Sequence, residues 1–273
     1  MIIQQNQVFP TYQAHSKFLA EAYENIKTRF NETYVDELMQ MRGYISDSMR
    51  NLIKEMQLGY CDFSPSELYE LNNENNLGKE LGLITSKDNF LLANRFIIPV
   101  YDLGNNLVSL IGYYTDPKKK YITLPTPFFS KEAMFFNFRQ AYDLAWSKFD
   151  GMVIVVEGIF DCLSLRSIGL PCIATMGATE SGVKCELLKL FKKVVAIPDA
   201  DSVGRKGLDA RTGWQLPSTA TRICLKLSPI EIHGQKVKLK DIDDLVKIFD
   251  EEDIRNIILE ASKSRSALEY LVI

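Results

Sequence analysis

Six acidic residues occur in a pattern that could bind divalent metal ions. They form three groups, Glu157 with Asp161, Asp199 with Asp201, and Asp241 with Asp243. Side chains two residues apart in an extended segment point to the same face, so Asp199 and Asp201 could both approach one cation. Carboxylate oxygens suit hard ions such as Mg²⁺. The pattern therefore predicts an acidic metal site.

A single acidic pair after a strand could equally be a solvated loop or a helix cap. Three such groups are harder to explain in that way, because carboxylates brought together without cations repel one another. Metal coordination is the simpler interpretation of the whole set.

The elements that must position these residues can be predicted from two apolar runs. Val153–Val156 and Val194–Ile197 are apolar throughout, as strands covered on both faces require. Ile159–Ile168 has helical spacing, and Cys172–Ala174 indicates another strand. Ligands of open α/β sheets bind at the carboxyl ends of the strands, where Glu157 and Asp199 follow. We therefore expect a parallel sheet with the metal site at that edge.

The remaining segments predict a different architecture before residue 150. Residues 16–57 have helical periodicity, and residues 96–102 and 107–114 flank a turn at 104–106, which predicts antiparallel strands. We predict helices in 131–150, 241–248 and 252–262, and a strand at 220–227 that ends the sheet. Three lysines, 118–120, precede Tyr121 and could hold phosphates or form a solvated hairpin tip.

Composition narrows the class of protein. The chain has 273 residues, 46% of them hydrophobic and 25% charged, with a formal net charge of −3. This balance is typical of globular proteins and argues against a protein that coats nucleic acid, although a local basic groove is compatible with it. Five scattered cysteines and two histidines provide no zinc-ligand spacing. We expect no membrane span and no signal peptide, hence a cytoplasmic location.

The spacing around the strands resembles the TOPRIM domain shared by DnaG-type primases, topoisomerases and some nucleases. The shared pattern is a strand followed by Glu157 and Asp161, a second strand followed by Asp199 and Asp201, and a later pair, Asp241 and Asp243. The resemblance implies that Glu157, Asp199 and Asp201 bind metal and perform catalysis. Asp161, Asp241 and Asp243 would be further metal-binding or outer carboxylates.

Segments outside this domain resemble the catalytic core of DnaG-type primases. An Arg-Gly turn at Arg42 lies between two helices, NRFIIPVYD contains Arg95, and KKKYITLP contains Lys120 and Tyr121. These residues, together with Lys131, Arg205 and Lys206, are expected to bind nucleotide and template.

The resemblance implies DNA primase activity, which is the synthesis of short RNA primers from ribonucleoside triphosphates on single-stranded DNA. The expected cofactors are two Mg²⁺ or Mn²⁺ ions and no zinc. A replicative helicase or a separate zinc-domain protein could be a partner. Without the family's flanking domains, the chain would suit a phage or a bacterial mobile element.

Two other functions remain open at this point. A TOPRIM nuclease would use the same carboxylates to direct water attack, and a catalytically idle TOPRIM protein would only bind nucleic acid or a replisome partner. A topoisomerase fits least well. We expect an α/β protein with a helical and antiparallel-strand subdomain at 1–150, a Rossmann-like TOPRIM domain at 151–245 and C-terminal helices at 246–273.

Overall fold

The computed structural model describes residues 5–28, 30–61, 77–114, 120–177, 182–200, 216–217, 220–232, 235–263 and 268–272. The chain divides into two compact units. The first consists of Met1–Tyr44 and Ile53–Phe129, and the second of Ile45–Leu52 and Ser130–Ile273. Residues 130–150, which we had grouped with the first subdomain, thus lie in the second unit. None of the described helices is long and apolar enough to span a bilayer.

The helices are α1 (Gln5–Lys27), α2 (Glu32–Arg42), α3 (Asp47–Met56), α4 (Leu77–Glu80), α5 (Phe138–Lys148), α6 (Ile159–Ser167), α7 (Gly182–Leu188), α8 (Ile242–Ile248) and α9 (Glu251–Lys263). The strands are β1 (Tyr60–Cys61), β2 (Arg95–Tyr101), β3 (Leu107–Tyr113), β4 (Tyr121–Thr123), β5 (Met152–Val156), β6 (Cys172–Ala174), β7 (Lys193–Ala196), β8 (Thr221–Lys226), β9 (Ile230–Ile232), β10 (Gln235–Val237) and β11 (Leu268–Val272).

The first unit contains an antiparallel sheet with the described strands in the order β1-β2-β3-β4. Helix α1 buries Leu19, Ala22 and Ile26, spaced three and four residues apart, in the same apolar cluster as Ile97 and Leu110 of the sheet. The helical periodicity and the hairpin predicted from the sequence are therefore both confirmed.

The second unit contains a parallel sheet whose described strands follow the order β11-β8-β7-β5-β6. Strand β5 is an interior strand, paired with β7 and β6, and is entirely buried. Its residues Val153 and Val155 share an apolar cluster with Phe138 and Ala141 of α5, while α6 also packs against β5 and β6. Covering by helices explains the continuous apolar sequence of this strand. The predicted α/β class is confirmed.

The C-terminal segment differs from the expectation of helices throughout residues 246–273. Helices α8 and α9 are present, but Leu268–Val272 forms β11, which pairs in parallel with β8. The prediction that β8 ends the sheet is therefore wrong, because β11 lies beyond it. Pairing with a strand more than 40 residues earlier in the sequence is a long-range interaction that local patterns do not reveal.

Truncation of the Ile154 side chain tests the burial of β5. Ile154 is fully buried, and truncation to alanine leaves a cavity. We expect Ile154→Ala to lower the free energy of unfolding by about 2–5 kcal/mol. Ile45→Ala is a matched control because Ile45 is 86% exposed, and its effect should stay within about 0.5 kcal/mol. Urea unfolding of both variants measures the difference, and equal effects would contradict the packing described.

Candidate metal centre and nucleotide-binding residues

Glu157 lies immediately after β5, at the carboxyl edge of the parallel sheet. The neighbouring strand end is joined to it by backbone hydrogen bonds. The amide of Thr175 donates to the carbonyl of Val156 at 2.9 Å, and the amide of Met176 donates to the carbonyl of Glu157 at 3.1 Å. The sheet therefore fixes the backbone from which the Glu157 side chain projects.

Asp161 lies in the first turn of α6 and is only 7% exposed. Its carboxylate folds back over Gly158, the residue before the helix. A Cβ atom at Gly158 would overlap Asp161 Oδ2, well inside van der Waals contact. The absence of a side chain at Gly158 is thus what allows the Asp161 carboxylate to occupy this place.

Asp199 follows β7 and is partly buried. The two residues before it lead out of the sheet, where the amide of Ile197 donates to the carbonyl of Val155 at 2.8 Å. On its other side, the amide of Ala200 donates to the carbonyl of Lys240 at 2.8 Å. These contacts hold the Asp199 segment between the end of β5 and the segment that leads to Asp241.

Asp241 and Asp243 lie at the start of α8, beside the start of α6. Asp241 caps α8, and its Oδ1 accepts a hydrogen bond from the amide of Asp244 at 2.9 Å. The amide of Asp243 donates to Oδ1 of Asp161 at 3.2 Å. In the part of the chain described, Asp241, Asp243 and Asp244 have carboxylate oxygens within 4.8 Å of one another.

The side chain of Asp243 is engaged by protein groups. The side chain is 4% exposed, and its Oδ1 accepts a hydrogen bond from the hydroxyl of Ser164 at 2.6 Å. Its Oδ2 lies 2.5 Å from Nζ of Lys247, which is one helical turn further along α8. Neither Ser164 nor Lys247 was singled out from the sequence. A lysine four residues after an aspartate is an ordinary helical ion pair, so the spacing alone gave no functional signal.

Burial and neighbouring carboxylates raise the pKa of two of these residues, Asp161 and Asp241. Burial raises the pKa of Asp161 well above its usual range, and the charges of Asp241, Asp199 and Asp243 raise it further. Burial is also the largest cause of the raised pKa of Asp241, and the charge of Asp244 raises it further. A divalent cation would relieve this repulsion, and an all-carboxylate set of donors suits Mg²⁺ or Mn²⁺. The described residues therefore fit a divalent metal.

The raised pKa of Asp161 has a consequence for stability. A carboxyl group with a higher pKa in the folded than in the unfolded state lowers stability as the pH rises above the unfolded value, about 3.9. We therefore expect metal-free Asp161→Asn to be more stable than the wild type at pH 7.

This advantage should shrink as the pH falls toward about 4, where the unfolded carboxyl group also becomes protonated. Added Mg²⁺ should reduce the difference in stability between the variant and the wild type, because the ion stabilises only the wild-type carboxylate. Thermal unfolding with EDTA or Mg²⁺ across this pH range measures the effect. If the metal-free variant is less stable than the metal-free wild type at every pH, the proposed repulsion between Asp161 and the neighbouring carboxylates is wrong.

The predicted nucleotide-binding residues of the first unit lie around Tyr113. Arg42 ends α2, and its Nη1 donates a hydrogen bond to the Tyr113 hydroxyl at 3.2 Å. The Tyr121 ring lies 5.4 Å from the Tyr113 ring, and Nζ of Lys120 lies 5.7 Å from the centre of the Tyr121 ring. We call Arg42, Tyr113, Lys120 and Tyr121 the basic–aromatic patch. The sequence did not assign Tyr113 to this group, because its contact with Arg42 joins segments that are far apart in the chain.

The other predicted binding residues are distributed differently. Arg95 begins β2, and its guanidinium carbon lies 5.9 Å from the centre of the Tyr114 ring. Lys131 is exposed and belongs to the second unit. Asp201, Arg205 and Lys206 lie outside the described residues.

The sequence matches a Toprim-like family model over residues 154–246. The DNA primase of Aquifex aeolicus is 28% identical over 245 residues, which cover 87% of this chain and 44% of that protein. The DNA primase of Clostridium acetobutylicum is 30% identical over 171 residues, covering 60% of this chain and 26% of the relative. The chain therefore spans less than half the length of either primase.

Solved structures give a consistent result. The Aquifex aeolicus primase structure with zinc-binding and RNA polymerase domains has a TM-score of 0.61 and 26% identity, covering 82% of this chain and 55% of that one. A DnaG primase catalytic domain bound to single-stranded DNA has a TM-score of 0.68 and 17% identity, and the match covers 91% of this chain and 80% of that one. At that identity, the second likeness concerns the fold alone. The chain is thus homologous to DNA primases, contains a Toprim-like domain and has the fold of a DnaG catalytic core.

Proposed function

We propose that the protein is a DNA primase catalytic core that makes short RNA primers from ribonucleoside triphosphates on single-stranded DNA. The observation that carries this proposal is that the charges of Asp199 and Asp241 act on the Asp161 carboxylate beside the end of β5, where Glu157 follows, within a chain homologous to primases. Nucleotidyl transfer needs charge neutralisation and alignment at this kind of site more than it needs covalent chemistry.

Glu157, Asp199 and Asp201 are the proposed metal ligands and catalytic residues, with Asp161 and Asp241 beside them. These carboxylates would hold two Mg²⁺ or Mn²⁺ ions, which when bound would supply charge stabilisation for the attacking 3′-hydroxyl and for the pyrophosphate that leaves. The chain itself fixes the carboxylates before the ions bind. Gly158 leaves room for Asp161, and the amide of Asp243 orients it.

The basic–aromatic patch is proposed to hold nucleotide or template. Arg42 and Lys120 supply positive charge for phosphates, while Tyr121, 38% exposed, offers a ring on which a base or sugar can stack. Arg95, Lys131, Arg205 and Lys206 are further proposed contacts. Binding through phosphates and stacking should weaken with salt and depend little on sequence.

The proposed setting is the cytoplasm of a bacterium or of a phage-infected cell, with single-stranded DNA as template. A replicative helicase or a separate zinc-domain protein is a proposed partner. The relatives' greater length is compatible with such functions residing on additional domains.

Incubation with single-stranded DNA, labelled ribonucleotides and Mg²⁺ or Mn²⁺ tests the proposal. We expect short oligoribonucleotides that disappear when template or metal is omitted. Metal-dependent cutting of the DNA without synthesis would instead identify a nuclease that uses the same carboxylates. If neither activity appears even with a helicase or zinc-domain protein added, the primase proposal is wrong and an idle binding protein remains.

A further inference from the structure

A lysine lies within the acidic group at the start of α8. Lys247 Nζ is 2.5 Å from Oδ2 of Asp243 and 3.9 Å from Oδ1 of Asp244. The lysine side chain is 15% exposed, and that of Asp243 is 4% exposed. Its positive charge also reaches Asp241, the third member of the group. Of three carboxylates whose oxygens are close enough to share a metal ion, two thus already lie beside an ammonium group.

Both oxygens of Asp243 already have protein partners with which a metal ion would compete. Ser164 donates to Oδ1 at 2.6 Å, and Lys247 pairs with Oδ2 at 2.5 Å. A divalent ion bound through Oδ2 would either separate the buried ion pair, which leaves an unpaired charge in a poorly solvated place, or lie close to the ammonium as a second cation. Both arrangements are unfavourable.

The backbone of Asp243 makes a different contact. Its amide donates to Oδ1 of Asp161, while its side chain is held by α6 through Ser164 and by α8 through Lys247. The ion pair therefore fixes the point from which the amide reaches the Asp161 carboxylate. The backbone contact of Asp243 with the Asp161 carboxylate is thus distinct from the two contacts that hold its own carboxylate.

We propose that Lys247 is the internal cation of the group formed by Asp241, Asp243 and Asp244, so that no divalent ion binds this group in the wild type. Asp243 is then a positioning residue for Asp161, and divalent ions bind only on the side of Glu157, Asp161 and Asp199. The inference rests on the proposed function for the existence of that metal centre. Its test counts ions and does not require primer synthesis.

Electron paramagnetic resonance of free Mn²⁺ during titration gives the number of ions bound per chain. We expect Lys247→Met to bind one Mn²⁺ more than the wild type, because the carboxylates lose their internal counter-ion. Asp244→Asn in the Lys247→Met background should remove the added ion. Lys247→Arg keeps the charge and should match the wild type, as should Lys238→Met, a control at an exposed lysine.

Asp244→Asn in the otherwise wild-type chain is a second test that leaves the Lys247–Asp243 pair in place. The proposal requires its Mn²⁺ count to equal that of the wild type, and a lost ion would overturn it. A Lys247→Met protein that retains the wild-type circular dichroism but binds no added ion would overturn it too. If Lys247→Met does not fold, Asp244→Asn decides alone. A wild-type protein without primer synthesis but with these ion counts would refute the proposed function and leave this inference standing.

Discussion

Primer synthesis by Asp199→Asn is expected to fall at least about 100-fold below the wild type, with no loss of folding. Asp199 lies three residues after the end of β7, and its carboxylate adds to the charge that raises the pKa of Asp161. Asparagine keeps the shape of the side chain but removes the negative charge that a metal ligand needs. Primer yield on a single-stranded template, measured over a range of Mg²⁺ and Mn²⁺ concentrations, gives the loss.

A matched control separates this effect from a general loss of negative charge. Asp150→Asn also changes one aspartate of the second unit, but the Asp150 side chain is 82% exposed and pairs with Lys192. Its primer yield should equal that of the wild type. Full activity of a correctly folded Asp199→Asn would contradict the assignment of Asp199 to the metal centre.

Gly158→Ala is expected to lower primer synthesis roughly 10- to 100-fold. The backbone at Gly158 has φ −90° and ψ 150°, which alanine adopts without strain. The added methyl group would instead collide with Oδ2 of Asp161 and push that carboxylate away from the amide of Asp243. The loss should appear as a higher metal concentration for half-maximal activity as well as a lower maximum.

Gly182→Ala is the control for this variant. Gly182 begins α7, and a Cβ atom there meets no other atom within 4 Å. Its activity should match the wild type. Unchanged metal dependence in a folded Gly158→Ala protein would show that the position of the Asp161 carboxylate does not matter for the reaction.

Much of the sheet could be predicted from the sequence because its central strands are covered on both faces. The runs at Val153–Val156 and Val194–Ile197 are apolar for that reason. Glu157 and Asp199, which follow these runs, mark the strand ends. Strand β11 could not be found in this way. Its pairing with β8 depends on residues far apart in the chain, and a short apolar run alone fits a helix equally well.

The candidate site was predicted as a set of residue types rather than as an arrangement. Spacing indicated that Asp241 and Asp243 belonged with the other carboxylates, but not that Asp243 is paired with Lys247 and Ser164. Side-chain spacing within one helix predicts the ion pair only as an exposed contact, whereas its burial depends on the packing of α8 against α6. The hydrogen bond from Arg42 to Tyr113 likewise joins segments that are distant in the sequence.

The most direct test of primase activity is extension of a short RNA primer annealed to single-stranded DNA, because it does not require knowledge of the initiation sequence. We expect Mg²⁺- or Mn²⁺-dependent addition of only the ribonucleotide complementary to the next template base, with the preferred nucleotide changing when that base is changed. Absence of extension, or addition that ignores the template base, would contradict the proposal that this chain is a template-directed primase core.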